Sequence, residues 1–203
     1  MDLACCGMVC HYCHPYLDTT YYGSIIHISA MKKPQNNYAF IDGQNFFKSI
    51  QELEIELEVL EVGLDLNEFR IHLMEKHAVN IAYYFIGYMP ENIALYTALR
   101  KQGYELIFKE VAVHEDTIKG NVDVNLTLQS MIDIDNYGKA VIIASDGDYA
   151  CLVEYLHSKG KFECLIACSR GGCSYLLRKL HNRIRIFYLD DIIRDLYMRK
   201  ETS

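Results

Sequence analysis

The stretch Tyr38-Ala-Phe-Ile-Asp-Gly-Gln-Asn45 joins a short apolar run to a carboxylate and an amide, and it decides the fold. The run Tyr38–Ile41 has the length and composition of a buried β-strand. Asp42 and Asn45 follow this run closely, and open α/β sheets collect their ligand-binding groups at the C-terminal ends of strands. The stretch therefore predicts the first strand of an α/β sheet, with polar groups of a functional site at its end.

Short apolar runs alternate with segments of helical spacing through the rest of the chain. The strand-like runs after the first are Asn80–Ile86, Glu105–Lys109, Ala140–Ala144, Glu163–Ala167 and Ile184–Tyr188. Such alternation is typical of right-handed βαβ units, which build parallel sheets covered by helices on both faces. The sequence therefore predicts a three-layer α/β sandwich with a largely parallel central sheet.

The spacing of apolar residues also indicates where some of the helices lie. Leu66, Phe69, Leu73 and His77 form one helical stripe. The stretch Ile50–Leu64 leaves helix and strand open, because its apolar residues alternate while its length and its Leu and Glu content suit a helix.

Three further carboxylates follow other predicted elements. Asp146 and Asp148 come after the apolar run Ala140–Ala144, and Asp123 lies at the predicted start of a helix. Because parallel strands end at one edge of a sheet, these groups can converge with Asp42 in an acidic pocket for a hard divalent metal.

Each of these polar residues also has a simpler interpretation. Asp42 or Asp148 could cap the helix that follows it, since an aspartate at this position accepts unpaired backbone N–H groups. Capping alone leaves unexplained why the carboxylates gather where the first and fourth strands would adjoin. For Asn45, orienting a ligand and bonding the local backbone both stay open.

The charge is unevenly distributed along a chain whose formal net charge is -7. From Lys159 to Arg185 there are seven basic residues and one acid, which gives this segment a net charge of +6. Such a segment can present a positive face to phosphates, and we expect Arg170, Arg178 and Lys179 to contact substrate there. Lys119, which precedes Asp123, is expected to meet phosphate as well. The alternative is that these charges are scattered over a solvated surface.

The 203 residues fit one domain, and the first thirty differ from the rest. They contain Cys5, Cys6, Cys10 and Cys13 but no Lys or Arg, and Cys10-His-Tyr-Cys-His14 matches a haem-attachment pattern or a part of a zinc site. We expect residues 1–36 to be a dispensable extension, with Met31 as the natural start. Residues 37–198 would form the domain and residues 199–203 a short tail.

The composition also bears on the cellular compartment. No run of 18 or more apolar residues offers a membrane span, and no basic segment leads into an apolar signal core, so we expect a cytoplasmic protein without a membrane partner. The cysteines in or beside apolar runs are expected to be reduced thiols; they are Cys151, Cys164, Cys168 and Cys173. Self-association into a homo-oligomer is left open.

Four motifs, in this order and spacing, resemble the NYN domain family of PIN-like ribonucleases. They are Ile41-Asp-Gly-Gln-Asn45, Tyr83-Tyr-Phe-Ile-Gly87, Lys119-Gly-Asn-Val-Asp123 and Ser145-Asp-Gly-Asp-Tyr149. The similarity spans Asn37 to Tyr197. It implies a PIN-like sandwich that hydrolyses RNA and binds Mg²⁺ or Mn²⁺ through acidic residues. The residues that match the family's metal-site carboxylates are Asp42, Asp123, Asp146 and Asp148, with Asn45 as a polar accessory in the catalytic set.

Two positions depart from the family pattern. Ser145 stands where glycine is usual, and Gln129 lies near a position that is acidic in many relatives. Two functions therefore stay open: a metal-dependent ribonuclease that acts on single-stranded RNA, and a non-catalytic RNA-binding or protein-interaction module on the same fold. A phosphatase or nucleotide hydrolase ranks last, because the chain lacks an obvious nucleophile motif and a Gly-x-x-x-x-Gly-Lys phosphate loop.

Overall fold

The computed structural model of the chain describes residues 36–56, 65–109, 112–114, 117–119 and 122–201. Almost all of the predicted N-terminal extension, including Cys10–His14, lies outside these residues. For the stretch Ile50–Leu64, sequence analysis left helix and strand open. Its first part, as far as Glu56, is helical, and the remainder lies outside the described residues.

Six parallel strands form the central sheet. They are β1 (Asn37–Asp42), β2 (Val79–Gly87), β3 (Tyr104–Lys109), β6 (Ala140–Ile143), β7 (Phe162–Ala167) and β8 (Ile186–Tyr188). Their order across the sheet is β3-β2-β1-β6-β7-β8, and every pairing is parallel. All residues of β1 and β6 are buried, as expected for central strands that are covered on both faces. The predicted largely parallel sheet is confirmed.

Helices cover both faces of this sheet. Their bounds are α1 (Gly43–Glu56), α2 (Leu66–His77), α3 (Ile93–Lys101), α4 (Asp123–Ile132), α5 (Ala150–Ser158), α6 (Tyr175–Arg178) and α7 (Leu189–Glu201), with 3₁₀ turns at Pro90–Asn92 and Gly147–Tyr149. Side chains of α1, α2, α3 and α7 pack into one apolar cluster, and those of α4, α5 and α6 into another. The two clusters lie on opposite faces of the sheet, which confirms the predicted three-layer sandwich.

Local signals account for individual elements. Phe69, Leu73 and His77 of the predicted stripe are buried along α2, whose N-terminus is capped by the side chain of Asp65. The cysteines at 151, 164, 168 and 173 are free thiols, as predicted; three of them are buried, whereas Cys151 is exposed on α5. No helix in the described residues is long and apolar enough to span a bilayer.

One element was missed by sequence analysis. A two-stranded antiparallel hairpin, β4 (Ala112–His114) and β5 (Thr117–Lys119), follows β3. Each strand has three residues, which is too short for a periodic pattern to be read. Lys119 therefore ends a strand of this hairpin, paired with Ala112, where sequence analysis had it in a phosphate-binding or plain loop position.

The order of the strands reverses between β1 and β6. The chain builds outward from β1 through β2 and β3 on one side, and through β6, β7 and β8 on the other. A crevice forms beyond the C-terminal ends of two strands at such a switch point, and ligands bind there in open α/β sheets. Asp42 ends β1, and Asp146 follows the end of β6 by three residues.

Candidate active site

Three carboxylates converge at this switch point. Oxygen atoms of Asp123, Asp146 and Asp148 all lie within 4.8 Å of one another. Asp123 is the first residue of α4 and is half-buried, while Asp146 and Asp148 lie in the turn after β6 and are exposed. Oxygen ligands at this spacing, drawn from two separate segments, suit a hard divalent cation that also keeps water ligands.

Asp42 is buried beside this group and does not belong to it. Its side chain is 1% exposed. Its Oδ1 accepts hydrogen bonds from the backbone N–H groups of Gln44 (3.1 Å) and Asn45 (3.0 Å), so Asp42 caps the start of α1. The side-chain amide of Asn45 donates to Oδ2 at 2.6 Å. Burial raises the pKa of Asp42, although these hydrogen bonds oppose the rise.

The hydroxyl group of Tyr149 connects Asp42 to the three converging carboxylates. It lies 3.0 Å from Asp42 Oδ2 and 2.6 Å from Asp123 Oδ1, and the whole residue is buried. A phenol carries one proton and donates it to one carboxylate at a time. Burial, together with the two carboxylates, raises the pKa of Tyr149, so the proton stays on the phenol.

Sequence analysis missed the role of Tyr149. The residue ends the motif Ser145–Tyr149, but sequence analysis assigned it no role. The signal that could have indicated this role is its position in the sequence, directly after Asp148. A residue at that position lies at the edge of the sheet, where it can contact the end of the neighbouring strand β1.

The turn that carries Asp146 and Asp148 is held by its own backbone and by α6. Asp146 Oδ1 accepts a hydrogen bond from the Asp148 N–H at 3.1 Å, so Asp146 rather than Asp148 caps this turn. A Cβ atom at Gly147 would lie 2.5 Å from Ser174 Oγ and 3.1 Å from Leu176 Cδ1. The close approach that requires glycine here is therefore made by the start of α6.

The other motif glycine is required for a similar reason. A Cβ atom at Gly43 would lie 2.4 Å from the ring of Tyr84 and 2.6 Å from the carbonyl oxygen of Phe85, both on β2. The absence of a side chain at Gly43 thus lets the first residue of α1 pack closely against β2. This close packing holds Asp42 and Asn45 at the edge of the sheet.

Comparisons with known proteins agree with this arrangement. A family model described as the NYN domain matches residues 38–184, a range that includes all three converging carboxylates and Asp42. The chain belongs to the NYN domain family. A crystal structure of a protein of unknown function from Vibrio parahaemolyticus is similar to this NYN domain, with a TM-score of 0.63 and 18% identity over 79% of this chain and 96% of that chain. That likeness concerns the fold alone. A comparison with curated proteins finds no match.

The two departures from the NYN pattern have structural explanations. Ser145 is buried, its hydroxyl accepts a hydrogen bond from Cys168 N–H at 2.9 Å, and its carbonyl accepts one from Ser174 N–H at 2.9 Å. Gln129 donates to Asp133 Oδ2 at 2.7 Å. It lies six residues along α4 from Asp123, or about 9 Å along the helix axis, and its amide is engaged one helical turn further on.

Most of the basic residues between Lys159 and Arg185 are engaged by other groups of the NYN domain. Arg170 pairs with Asp191 at 2.6 Å and lies over the ring of Tyr188. The other engaged residues are Arg183 with Glu154, Arg185 with Glu163, Lys159 over Tyr155, and Lys161 with the Tyr137 carbonyl. An RNA contact by Arg170 would have to compete with its ion pair.

The two remaining basic residues of this segment are Arg178 and Lys179, and both are exposed at the C-terminal end of the short helix α6. Neither forms an ion pair with any acid among the described residues. Lys119 lies in β5, and its side chain is outside the described part of the chain.

Proposed function

We propose that this NYN domain hydrolyses phosphodiester bonds of single-stranded RNA with Mg²⁺ or Mn²⁺ held by Asp123, Asp146 and Asp148. The observation that carries the proposal is the convergence of these carboxylate oxygens within 4.8 Å at the switch point of the sheet. Membership of the NYN family supports the nuclease assignment. The cytoplasmic location and the formation of a homo-oligomer stay predictions.

The donor set fits a hard cation. Three carboxylates at this spacing repel one another, and a divalent cation would relieve that repulsion. Two of them are exposed, so water and a phosphate oxygen have access to the remaining coordination positions. When bound, such a cation would neutralise phosphodiester charge and lower the pKa of a water molecule.

The surrounding residues would position this acidic group. The Tyr149 hydroxyl lies between Asp42 and Asp123 and donates to one of these carboxylates at a time, so it couples the position of Asp123 to that of the buried Asp42. Asn45 in turn orients Asp42. We therefore assign Asp42, Asn45 and Tyr149 to positioning, and we propose that Arg178 and Lys179 hold the RNA backbone next to the acids.

The test compares wild-type protein with Asp146→Asn. Asparagine retains an oxygen that can cap the turn, so the fold should be kept while one charge of the cluster is removed. We expect cleavage of a labelled, unstructured RNA by the wild type in Mn²⁺, its loss in EDTA, and its loss in the variant. Thermal stabilisation by Mn²⁺ should also decrease in Asp146→Asn.

Asp135→Asn is the matched control, because Asp135 is exposed at the opposite end of α4 from Asp123. It should cleave RNA and respond to Mn²⁺ as the wild type does. Equal cleavage and equal Mn²⁺ stabilisation in Asp146→Asn would refute the proposed site.

Non-catalytic RNA binding is the second candidate. The observation that favours it is the small number of converging carboxylates: Asp42 is committed to capping and to Tyr149, and Gln129 is bonded to Asp133. RNA binding by wild-type protein without cleavage in either Mg²⁺ or Mn²⁺ would establish this function in place of hydrolysis.

A further inference from the structure

The short helix α6 lies directly against the turn that carries two of the acidic residues. The Ser174 N–H, just before α6, donates to the Ser145 carbonyl at 2.9 Å. Ser174 and Leu176 fill the space beside Gly147, which separates Asp146 from Asp148. Any polymer bound at the acidic group therefore has α6 as an immediate neighbour.

α6 has an apolar inner side and an exposed outer side. Leu177 and Leu180 are buried in the core. Lys179 N–H donates to the Tyr175 carbonyl at 3.0 Å, so Tyr175 and Lys179 stand one helical turn apart, with Arg178 beside them. These three residues are exposed, and we call them the α6 platform.

Tyr175 is 70% exposed, more than any other tyrosine whose side chain is described. The other exposed tyrosines have partners: Tyr155 lies under Lys159, and Tyr88 packs on Tyr96 and Phe108. No ring or cation among the described residues packs on Tyr175. An exposed aromatic ring without a partner offers a flat face on which a ligand ring can stack.

The charges on the platform indicate which ligand it fits. Within the described part of the chain, Arg178 and Lys179 are the two basic residues of Lys159–Arg185 that neither pair with an acid nor contact a ring or a carbonyl group through their cationic ends. An aromatic ring flanked by two cations suits a chain that alternates flat rings with phosphates.

We propose that Tyr175 stacks on an unpaired nucleobase of RNA while Arg178 and Lys179 contact the adjoining phosphates, so that the α6 platform selects single strands. The inference rests on the proposed function, because it places the RNA strand across the acidic group. Bases in a duplex are stacked on one another and offer no free face to a side chain, so duplex RNA cannot use Tyr175.

The test measures RNA binding in EDTA, where no cleavage takes place. The probe is a short fluorescein-labelled oligouridylate, and the readout is fluorescence anisotropy with the full-length chain. Tyr175→Ala should weaken binding about tenfold, whereas Tyr175→Phe should bind as the wild type does. Tyr155→Ala is the matched control, because it removes an exposed tyrosine from α5, and it should leave the affinity unchanged.

Two further ligands separate base stacking from general attraction to phosphates. An RNA duplex of the same length should bind wild type and Tyr175→Ala equally. An oligonucleotide of abasic residues should also bind both proteins equally, since it keeps the phosphates and has no bases to stack. An equal loss of affinity for all three ligands in Tyr175→Ala would overturn the inference.

The outcomes distinguish this inference from the proposed hydrolysis. A wild-type protein that binds oligouridylate through Tyr175 but cleaves no RNA keeps the α6 platform and refutes the hydrolysis. A wild-type protein that cleaves RNA, with Tyr175→Ala unchanged in both binding and cleavage, refutes the platform alone and leaves the ring as a contact for another partner, such as a protein. No binding of oligouridylate by wild type would overturn the inference.

Discussion

Replacing Tyr149 by Phe removes one oxygen atom from the centre of the acidic site and leaves the ring in place. The residue is fully buried, and phenylalanine fills the same volume without opening a cavity. The lost hydroxyl contacts Asp42 Oδ2 at 3.0 Å and Asp123 Oδ1 at 2.6 Å. The substitution therefore isolates the link between the buried carboxylate and the three converging ones.

The size of the effect follows from these contacts. A phenol donates one hydrogen bond at a time, and a hydrogen bond to a charged group contributes about 1.5–3 kcal/mol. Asp42 keeps three N–H donors, from Gln44 and from the backbone and side chain of Asn45, so its charge is not left unpaired. We expect Tyr149→Phe to lower the free energy of unfolding of the metal-free protein by about 2 kcal/mol.

Metal affinity gives the more specific readout. Asp123 loses the partner that fixes one of its oxygens, and removing a group that orients a metal ligand costs roughly 10- to 100-fold in affinity. Calorimetric titration with Mn²⁺ should show at least the lower end of this range. Tyr155→Phe, which removes an exposed hydroxyl from α5, is the control and should change neither quantity. A lower stability with unchanged Mn²⁺ affinity would refute the positioning role.

Three further predictions follow from single contacts. Gly147→Ala should lower the free energy of unfolding by about 1–3 kcal/mol and weaken Mn²⁺ stabilisation, because the added Cβ would lie 2.5 Å from Ser174 Oγ. Gly171→Ala, which has open space around it, should change neither quantity. Denaturation curves with and without Mn²⁺ measure both effects. Burial lowers the pKa of His77 below 6.5, so the unfolded chain binds more protons than the folded one below about pH 6.5. Stability should therefore decline as the pH falls below that value, and melting curves of His77→Gln should show a smaller decline. Replacing Arg178 and Lys179 by Ala should reduce the slope of log affinity against log salt by about 1.4 for single-stranded RNA, and an unchanged slope would exclude phosphate contacts by both residues.

The fold could be predicted because its central strands β1, β6 and β7 are buried over nearly all of their length. A central strand of a parallel sheet appears in the sequence as an unbroken apolar run, and all six runs identified this way are strands. The hairpin β4–β5 has no such signal, since three residues per strand give no period. Its existence depends on pairing between the two strands and not on a pattern in either one.

The candidate site could be predicted only in part. Sequence order places Asp42, Asp123 and Asp146 at one edge of the sheet, but it does not say which way each carboxylate turns. Asp42 turns inward because α1 begins at once and presents its free N–H groups to it. The bridge from Tyr149 depends on a contact across 107 positions of sequence, which no local pattern contains.

Charge counting within one segment is incomplete for a related reason. The net charge of +6 between Lys159 and Arg185 assumes that partners lie within the segment, whereas Arg170 and Arg183 pair with Asp191 and Glu154 outside it. These two pairs offset two of the six net positive charges. The basic residues that remain without an acidic partner among the described residues include Arg178 and Lys179 at α6.

Ser145 explains how the acidic turn and α6 are kept together. Its hydroxyl accepts a hydrogen bond from Cys168, and its carbonyl accepts one from Ser174, so the ends of β6 and β7 and the start of α6 are joined at one residue. A glycine, usual at this position in NYN domains, could form only the carbonyl bond. The serine therefore adds a second hydrogen bond, from Cys168 N–H, that holds the acidic turn in place. Its side chain is buried and so does not occupy the space in front of Asp146 or Asp148. This departure from the family pattern is compatible with catalysis.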